Sequence, residues 1–263
     1  AAGRTTLRSA AATAHIPQMI RIIETLIKKG FAYEKNGNVF FDILKFPEYG
    51  RLSGNTLDKL KVGARLEEHP DKKNPWDFAL WLKAPKEHLL HWDSPWSVGY
   101  PGWHIECSAM STEYLGDTMD IHTGGEDNIF PHHEAEIAQT ECATSAKFVN
   151  YWVHTRHLQM DGTKMSKSKG NLYRLEDIQE KGYSAMELRM LLLSAHRSTQ
   201  LNFTWDAMDQ ARINLQKIND FVLNLEATAT SQNPDSNFDV KPYQEKFEAA
   251  MDDDFNTPLA LSV

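Results

Sequence analysis

From residue 102 to residue 159 the chain alternates helix-length and strand-length patterns, and this alternation constrains its fold more than any other feature. Residues 102–115 read as a helix, 118–122 as a strand, 131–145 as a helix and 148–159 as a strand. That is the order in which crossover helices build a parallel α/β sheet. Asp161-Gly162 breaks the last strand and releases the segment KMSKSKGN (164–171) as a loop. Upstream, Met19, Ile20, Ile23, Leu26 and Ile27 make one stripe of a helix that starts at Ile16 and is stopped by Gly30. Val39 and Phe41 alternate just after Asn36-Gly37, which predicts a short hairpin within 31–54. Residues 55–100 are rich in Pro, Trp and charge with weak periodicity, and residues 1–14 are small and polar, as disordered or linker segments are. Downstream, 184–195 and 205–225 read as apolar-striped helices, 228–240 as a polar linker, and a third helical stretch begins at Tyr243.

A metal site is the first chemistry the letters suggest. Cys107 offers a thiolate, and zinc is the ion that accepts sulfur, imidazole and carboxylate donors in one shell. In PHHEAE (131–136), Pro131 suits the first turn of a helix, and His132 and Glu136, four apart, share one face of it. His133, three residues from Glu136, could serve instead, so spacing leaves the histidine open. Glu134 points elsewhere. The bland reading is an ordinary helix carrying a His-His pair beside a cysteine acting as a small hydrophobe. For Cys142, six residues past Glu136, a core thiol is the better reading.

Composition narrows the class. With 263 residues and 41% hydrophobic content, the chain can build one large core or two smaller ones. No apolar run approaches the ~18 residues of a membrane span, and no signal-peptide pattern is present. Two cysteines make no disulfide framework, which points to a reducing, cytoplasmic setting. A net charge of −8 argues against a protein that coats nucleic acid generally, though a local basic patch remains compatible with RNA. Lysines and arginines gather at 164–174, and Arg189 and Arg197 follow on a predicted helix, where a solvated surface is the simplest account of each.

Read together, PGWHIECSAM (101–110), DIHTGGEDNIFPHHEAEIAQ (120–139), KMSKSKGN (164–171), GNVFFDILKFPEYGRLSG (37–54), KNPWDFALWLK (73–83), WDSPW (92–96) and MDDDFNTPLAL (251–261) closely resemble the cysteinyl-tRNA synthetases, a family of class I aminoacyl-tRNA synthetases. The resemblance runs from about His15 to the last residue. It implies the second half of a Rossmann-like nucleotide-binding domain, preceded by a connective-peptide insertion and followed by a helical region. The expected divisions are 1–99 for the insertion, 100–160 for the catalytic half with its zinc site, 161–204 for the KMSKS loop and stem-contact region, and 205–263 for the start of a helical bundle leading to an anticodon-binding region. No H-I-G-H-type signature is found, AHIPQ (14–18) not being one, so an internal piece of a longer protein is expected, inactive in isolation.

The resemblance also implies a chemistry. Cysteine and ATP, with Mg2+, would give cysteinyl-adenylate, and the cysteinyl group would pass to the 3′ end of tRNA(Cys), the enzyme being a monomer. One zinc would be held by Cys107, His132 and Glu136, with a further cysteine that the family carries in an amino-terminal segment and that has no counterpart here. A metal separates thiol from hydroxyl where a hydrophobic pocket cannot. A free thiol titrates near ~8.5 and is deprotonated outright on coordination, and serine's hydroxyl is far less acidic. Trp103 and His104 would wall the amino-acid pocket, and Asp127 would accept from the substrate ammonium or the adenosine ribose. Gly124 and Gly125 would let the backbone approach ATP, although Thr123 stands where the family often has a third glycine. Lys164, Ser166, Lys167 and Ser168 would meet the phosphates, Lys167 making the main contact. Two other readings are a mycothiol-pathway cysteine ligase and a non-catalytic fragment that binds zinc or tRNA.

Overall fold

The computed structural model describes residues 10–56, 59, 69–165, 170–229 and 238–263. Two compact units divide the chain, Ala1–Val153 and His154–Val263.

The first unit opens with a helical turn at Ala12–Ala14, so the end of the segment expected to be disordered is structured, while residues 1–9 lie outside the described residues. Helix α1 (Ile16–Lys28) carries Pro17 in its first turn and buries Ile16 with Met19, Ile23 and Leu26 of the predicted stripe, whose Ile20 and Ile27 are partly buried against the same core. Each such fully buried side chain contributes roughly 1.5–3 kcal/mol. Strands β1 (Ala32–Lys35) and β2 (Asn38–Phe41) pair antiparallel as the predicted hairpin. Asn36 and Gly37 have φ of 56° and 87°, the left-handed pair that a tight two-residue turn requires. Two further strands complete this sheet within the stretch where no periodicity was evident: β3 (Phe78–Lys83) and β4 (Gly99–Pro101), in the order β1-β2-β3-β4.

Helix α2 (Trp103–Leu115) follows, then β5 (Met119–Gly125), α3 (Glu134–Thr144) and β6 (Val149–Thr155), with β5 and β6 hydrogen-bonded neighbours. One core joins Met19, Ile23, Phe41 and Trp81 from the front section to Ile105, Ala135 and Ala138 from α2 and α3. The packing therefore runs across the expected division at residue 100. Cys142 is buried in that core, as expected of a structural thiol.

In the second unit, β7 (Gln159–Met160) pairs antiparallel with β8 (Thr163–Lys164) and parallel with β9 (Asn202–Phe203). Asp161-Gly162 is thus a hairpin turn rather than a simple break, and Lys164 is a strand residue opposite Gln159, not part of a free loop. Helices α4 (Leu175–Glu180), α5 (Ala185–Leu193) and α6 (Trp205–Ala229) follow. Ser184 caps α5 through the reciprocal Ser184/Glu187 pair. Met160, Ile178, Leu191, Phe203 and Met208 form this unit's core. Arg197 lies beyond α5, where helix was expected. Its Nε donates to Asp254 at 2.9 Å and its Nη1 to the His154 carbonyl at 2.9 Å. Helices α7 (Lys241–Asp252) and α8 (Thr257–Ala260) end the chain. Among the described residues no helix is long and apolar enough to cross a membrane.

Candidate metal centre

Two helices bring the centre together. Trp103, His104 and Cys107 occupy the first turns of α2, and His132 lies in the wide turn Ile129–His133 that leads directly into α3, which bears Glu136. Phe130 is extended (φ −136°, ψ 131°), so the helical path begins at Pro131, as the sequence predicts. Polar contacts between the helices fix their approach. Gln139 donates to the Ser108 hydroxyl at 2.6 Å, and Thr140 donates to the same oxygen at 2.8 Å.

Donor atoms of Cys107, His132 and Glu136 lie within 4.8 Å of one another, which selects His132 over His133. His132 Nε2 is 2.8 Å from Glu136 Oε1, yet this buried oxygen receives no hydrogen bond. Its partner Oε2 accepts from His122 Nε2 at 2.6 Å. Both ring nitrogens of His132 meet a neighbour. His132 Nδ1 is 2.8 Å from His104 Nδ1, and burial, with the His132 charge beside it, drives His104 down to about 4. His104 and His132 thus meet through their Nδ1 atoms, and Nε2 of His132 is turned toward Glu136. A sulfur, an imidazole nitrogen and a carboxylate oxygen then lie within 4.8 Å of one another. Polar groups buried this deeply are normally satisfied, and a divalent cation satisfies this set.

Charge supports the same reading. Burial alone would raise Glu136, but the imidazoles of His122 and His132 outweigh it and hold the carboxyl at about 2. Burial and then Glu136 push the Cys107 thiol up to about 12. The site therefore keeps a formed carboxylate beside a protonated thiol, which a cation would deprotonate on binding.

A second group, His122, His133 and Glu136, also lies within 4.8 Å, but its carboxylate oxygen is taken by the His122 bond. His122 thus orients Glu136. Sequence reasoning missed this role, because fourteen residues and a strand-to-helix crossover separate the two and no spacing rule links them. His133 stacks near His122 and Trp152, with centroids at 4.7 and 4.8 Å.

Trp103 lies flat on His132, with centroids 4.2 Å apart and planes at 28°, and is 60% exposed, so it is a wall rather than a core residue. It and His104 edge a cavity of about 520 Å3 whose other aromatic walls include Tyr49, Trp76, Phe78 and Phe130. Asp127 is exposed on the turn Glu126–Asn128. A Cβ on Gly124 would lie 2.6 Å from His133 Cε1, so packing against His133 by itself requires glycine there. At Gly125 the nearest atom would be the Asp127 carboxylate oxygen, at 2.6 Å.

In the second unit, Asn171 donates to Thr163 Oγ1 at 3.0 Å and to the Lys164 carbonyl at 3.3 Å, and Gly170 has φ +67°. The two flanks of the lysine segment are thereby tied together. Ser166, Lys167 and Ser168 themselves lie outside the described residues.

Residues 4–213 match the family described as tRNA synthetases class I (C) catalytic domain, and residues 246–263 match the DALR domain. Similar proteins include the cysteine–tRNA ligases of Chlorobium chlorochromatii (46% identical over 253 residues, 96% of this chain and 52% of that protein), Deinococcus radiodurans (48% over 255 residues, 95% and 51%) and Finegoldia magna (47% over 254 residues, 96% and 55%). The chain thus spans about half the length of these curated relatives. Among solved structures, a putative arginyl tRNA synthetase from Campylobacter jejuni superposes with a TM-score of 0.52 at 12% identity, covering 98% of this chain and 53% of that one, which is a likeness of fold alone.

Proposed function

The chain belongs to the family of class I (C) tRNA synthetase catalytic domains, and from that membership we propose that it carries part of the catalytic machinery of a cysteine–tRNA ligase. The reaction would join the cysteine carboxylate to ATP, release pyrophosphate, and transfer the cysteinyl group to the 3′ end of tRNA(Cys). Neither step calls for a protein nucleophile, so positioning and charge stabilisation dominate. ATP would act with Mg2+, and the enzyme would work as a cytoplasmic monomer.

The observation that carries this reading is the convergence of the donor atoms of Cys107, His132 and Glu136, within 4.8 Å of one another. These three residues would hold zinc, together with the further cysteine that the family carries in an amino-terminal segment. When bound, zinc supplies a soft Lewis acid that favours a thiol substrate over the hydroxyl of serine. His122 keeps Glu136 ionised and oriented, His104 orients the ring of His132, and Trp103 with His104 walls the amino-acid pocket. Asp127, exposed and unencumbered by a cation in its own turn, would accept from the substrate ammonium or ribose, with Gly124 and Gly125 alongside ATP. Lys164 and Lys167 would neutralise charge growing on the phosphates, and Ser166 and Ser168 would donate hydroxyl hydrogen bonds to them.

The test uses the full-length protein. Zinc content should fall well below stoichiometric in Cys107→Ala, and ATP–pyrophosphate exchange should depend on cysteine and respond barely at all to serine. Undiminished zinc in the variant would refute the ligand assignment. Equal exchange with serine would refute the substrate.

A further inference from the structure

Glu134 is fully buried, and its carboxylate faces a loop more than eighty residues earlier in the chain. Oε2 accepts from the Gly50 amide at 3.0 Å and Oε1 from the Ser53 amide at 2.6 Å. Burying a carboxylate is costly, and here the compensation comes from backbone amides, so the charge serves to fix that loop. Two helical turns further along α3, Glu141 takes Arg51 Nη2 at 2.6 Å, which straps residues 50–53 along one face of the helix. The strap is tight: Gly50 has φ +92°, and a Cβ there would fall 2.2 Å from the Asn55 carbonyl oxygen.

A continuous set of contacts leads from the strap to the metal ligands. Tyr49, 3% exposed, meets the edge of Phe130 at 6.3 Å and stacks on Phe78 at 6.4 Å. Phe78 in turn meets His104 edge-on at 5.7 Å and 88°, and His104 holds His132 Nδ1 at 2.8 Å. We propose that Glu134 is a positioning residue of the metal centre, holding Tyr49 in place so that Phe78 and Phe130 fix the His104–His132 pair. The proposal rests on the reading of Cys107, His132 and Glu136 as zinc ligands, and it adds that the strap at residues 50–53 sets how well they are aligned.

The experiment compares wild type, Glu134→Gln, Tyr49→Phe and Tyr49→Ala in the full-length protein. Glu134→Gln keeps the size but turns an amide donor toward a backbone N–H. Zinc affinity is measured by chelator competition, the ligand field by the visible spectrum of the cobalt-substituted protein, and the His132 tautomer by imidazole nitrogen chemical shifts without metal. Glu134→Gln is expected to stay folded, to bind zinc about 10- to 100-fold more weakly, the range for residues that orient ligands, and to show a shifted cobalt spectrum. Tyr49→Ala should reproduce these changes with Glu134 intact, whereas Tyr49→Phe should not. A lowered thermal midpoint in Glu134→Gln with wild-type zinc affinity, cobalt spectrum and tautomer would overturn the proposal and leave Glu134 purely structural. If Glu134→Gln fails to fold, unchanged zinc affinity in Tyr49→Ala overturns it equally. If wild type itself holds no zinc, the ligand reading falls, and an unchanged His132 tautomer in the variants then overturns the role of Glu134.

Discussion

Burial lifts both thiols of this chain to about 12, with Glu136 adding to the effect at Cys107 and Glu141 at Cys142. Surroundings separate their chemistry. Cys107 shares its space with an imidazole and a carboxylate, so a cation there reverses the local field and takes the thiolate. Cys142 faces aliphatic core and stays a thiol. A group whose folded pKa lies above its unfolded value of 9 favours the fold fully below pH 9 and loses that contribution as pH rises toward 12. The loss should reach about 1–2 kcal/mol by pH 10.5. Urea midpoints measured from pH 8 to 11 should therefore fall less steeply for Cys142→Ala than for wild type, with Cys107 present in both. Parallel curves would show that Cys142 does not contribute this way. At this scale the sequence made Cys107 and Glu136 legible through ligand chemistry and helical spacing. Spacing alone left His132 and His133 open, and the family resemblance chose His132, which the structure groups with Cys107. His122 needed the structure, since it reaches Glu136 only through the fold.

Among the elements, those with a clear period were readable and those without were not. The stripe of α1 and the Asn-Gly hairpin follow from local rules. Strand β3 escaped because Phe78, Leu80 and Trp81 are all buried in a strand flanked by β2 and β4, so its letters run apolar instead of alternating. Asp-Gly at 161–162 was read as a break, yet it is equally a hairpin signal, and the two-residue strands beside it are too short to display a pattern. The Gly-Gly pair after β5 shows the same ambiguity between ligand approach and packing. At Gly124 a methyl group would press on the buried ring of His133, whereas at Gly125 it would meet an exposed and adjustable Asp127. Gly124→Ala is accordingly expected to cost about 1–3 kcal/mol, as overpacking does, and Gly125→Ala distinctly less. Urea unfolding of the two variants decides this. An equal or larger loss at Gly125 would mean that His133 yields easily and that packing is not what holds glycine at 124.

For the molecule as a whole, motif order was the most legible property: the helix–strand alternation over 102–159 pointed to an α/β fold, and the long matched segments placed it among the class I synthetases. Packing was the least legible, since the core ignores the division expected at residue 100 and joins α1 and the four-stranded sheet to α2 and α3. Adenylate formation, as proposed, is measured on the full-length protein. A lysine that meets charge developing in the transition state should affect the rate of adenylate formation and hardly touch ground-state binding of cysteine. Removing one such charge typically costs about 10²–10³ in rate. Lys167→Ala should show that loss in single-turnover adenylate formation, with cysteine affinity near wild type. Lys167→Arg should recover only part of it, because a planar guanidinium cannot replace a compact ammonium atom for atom. Lys169→Ala is the control for general charge in the same segment, whose flanks Asn171 ties together. A larger loss at Lys169 than at Lys167 would show that the phosphate-facing lysine has been assigned to the wrong position of the segment.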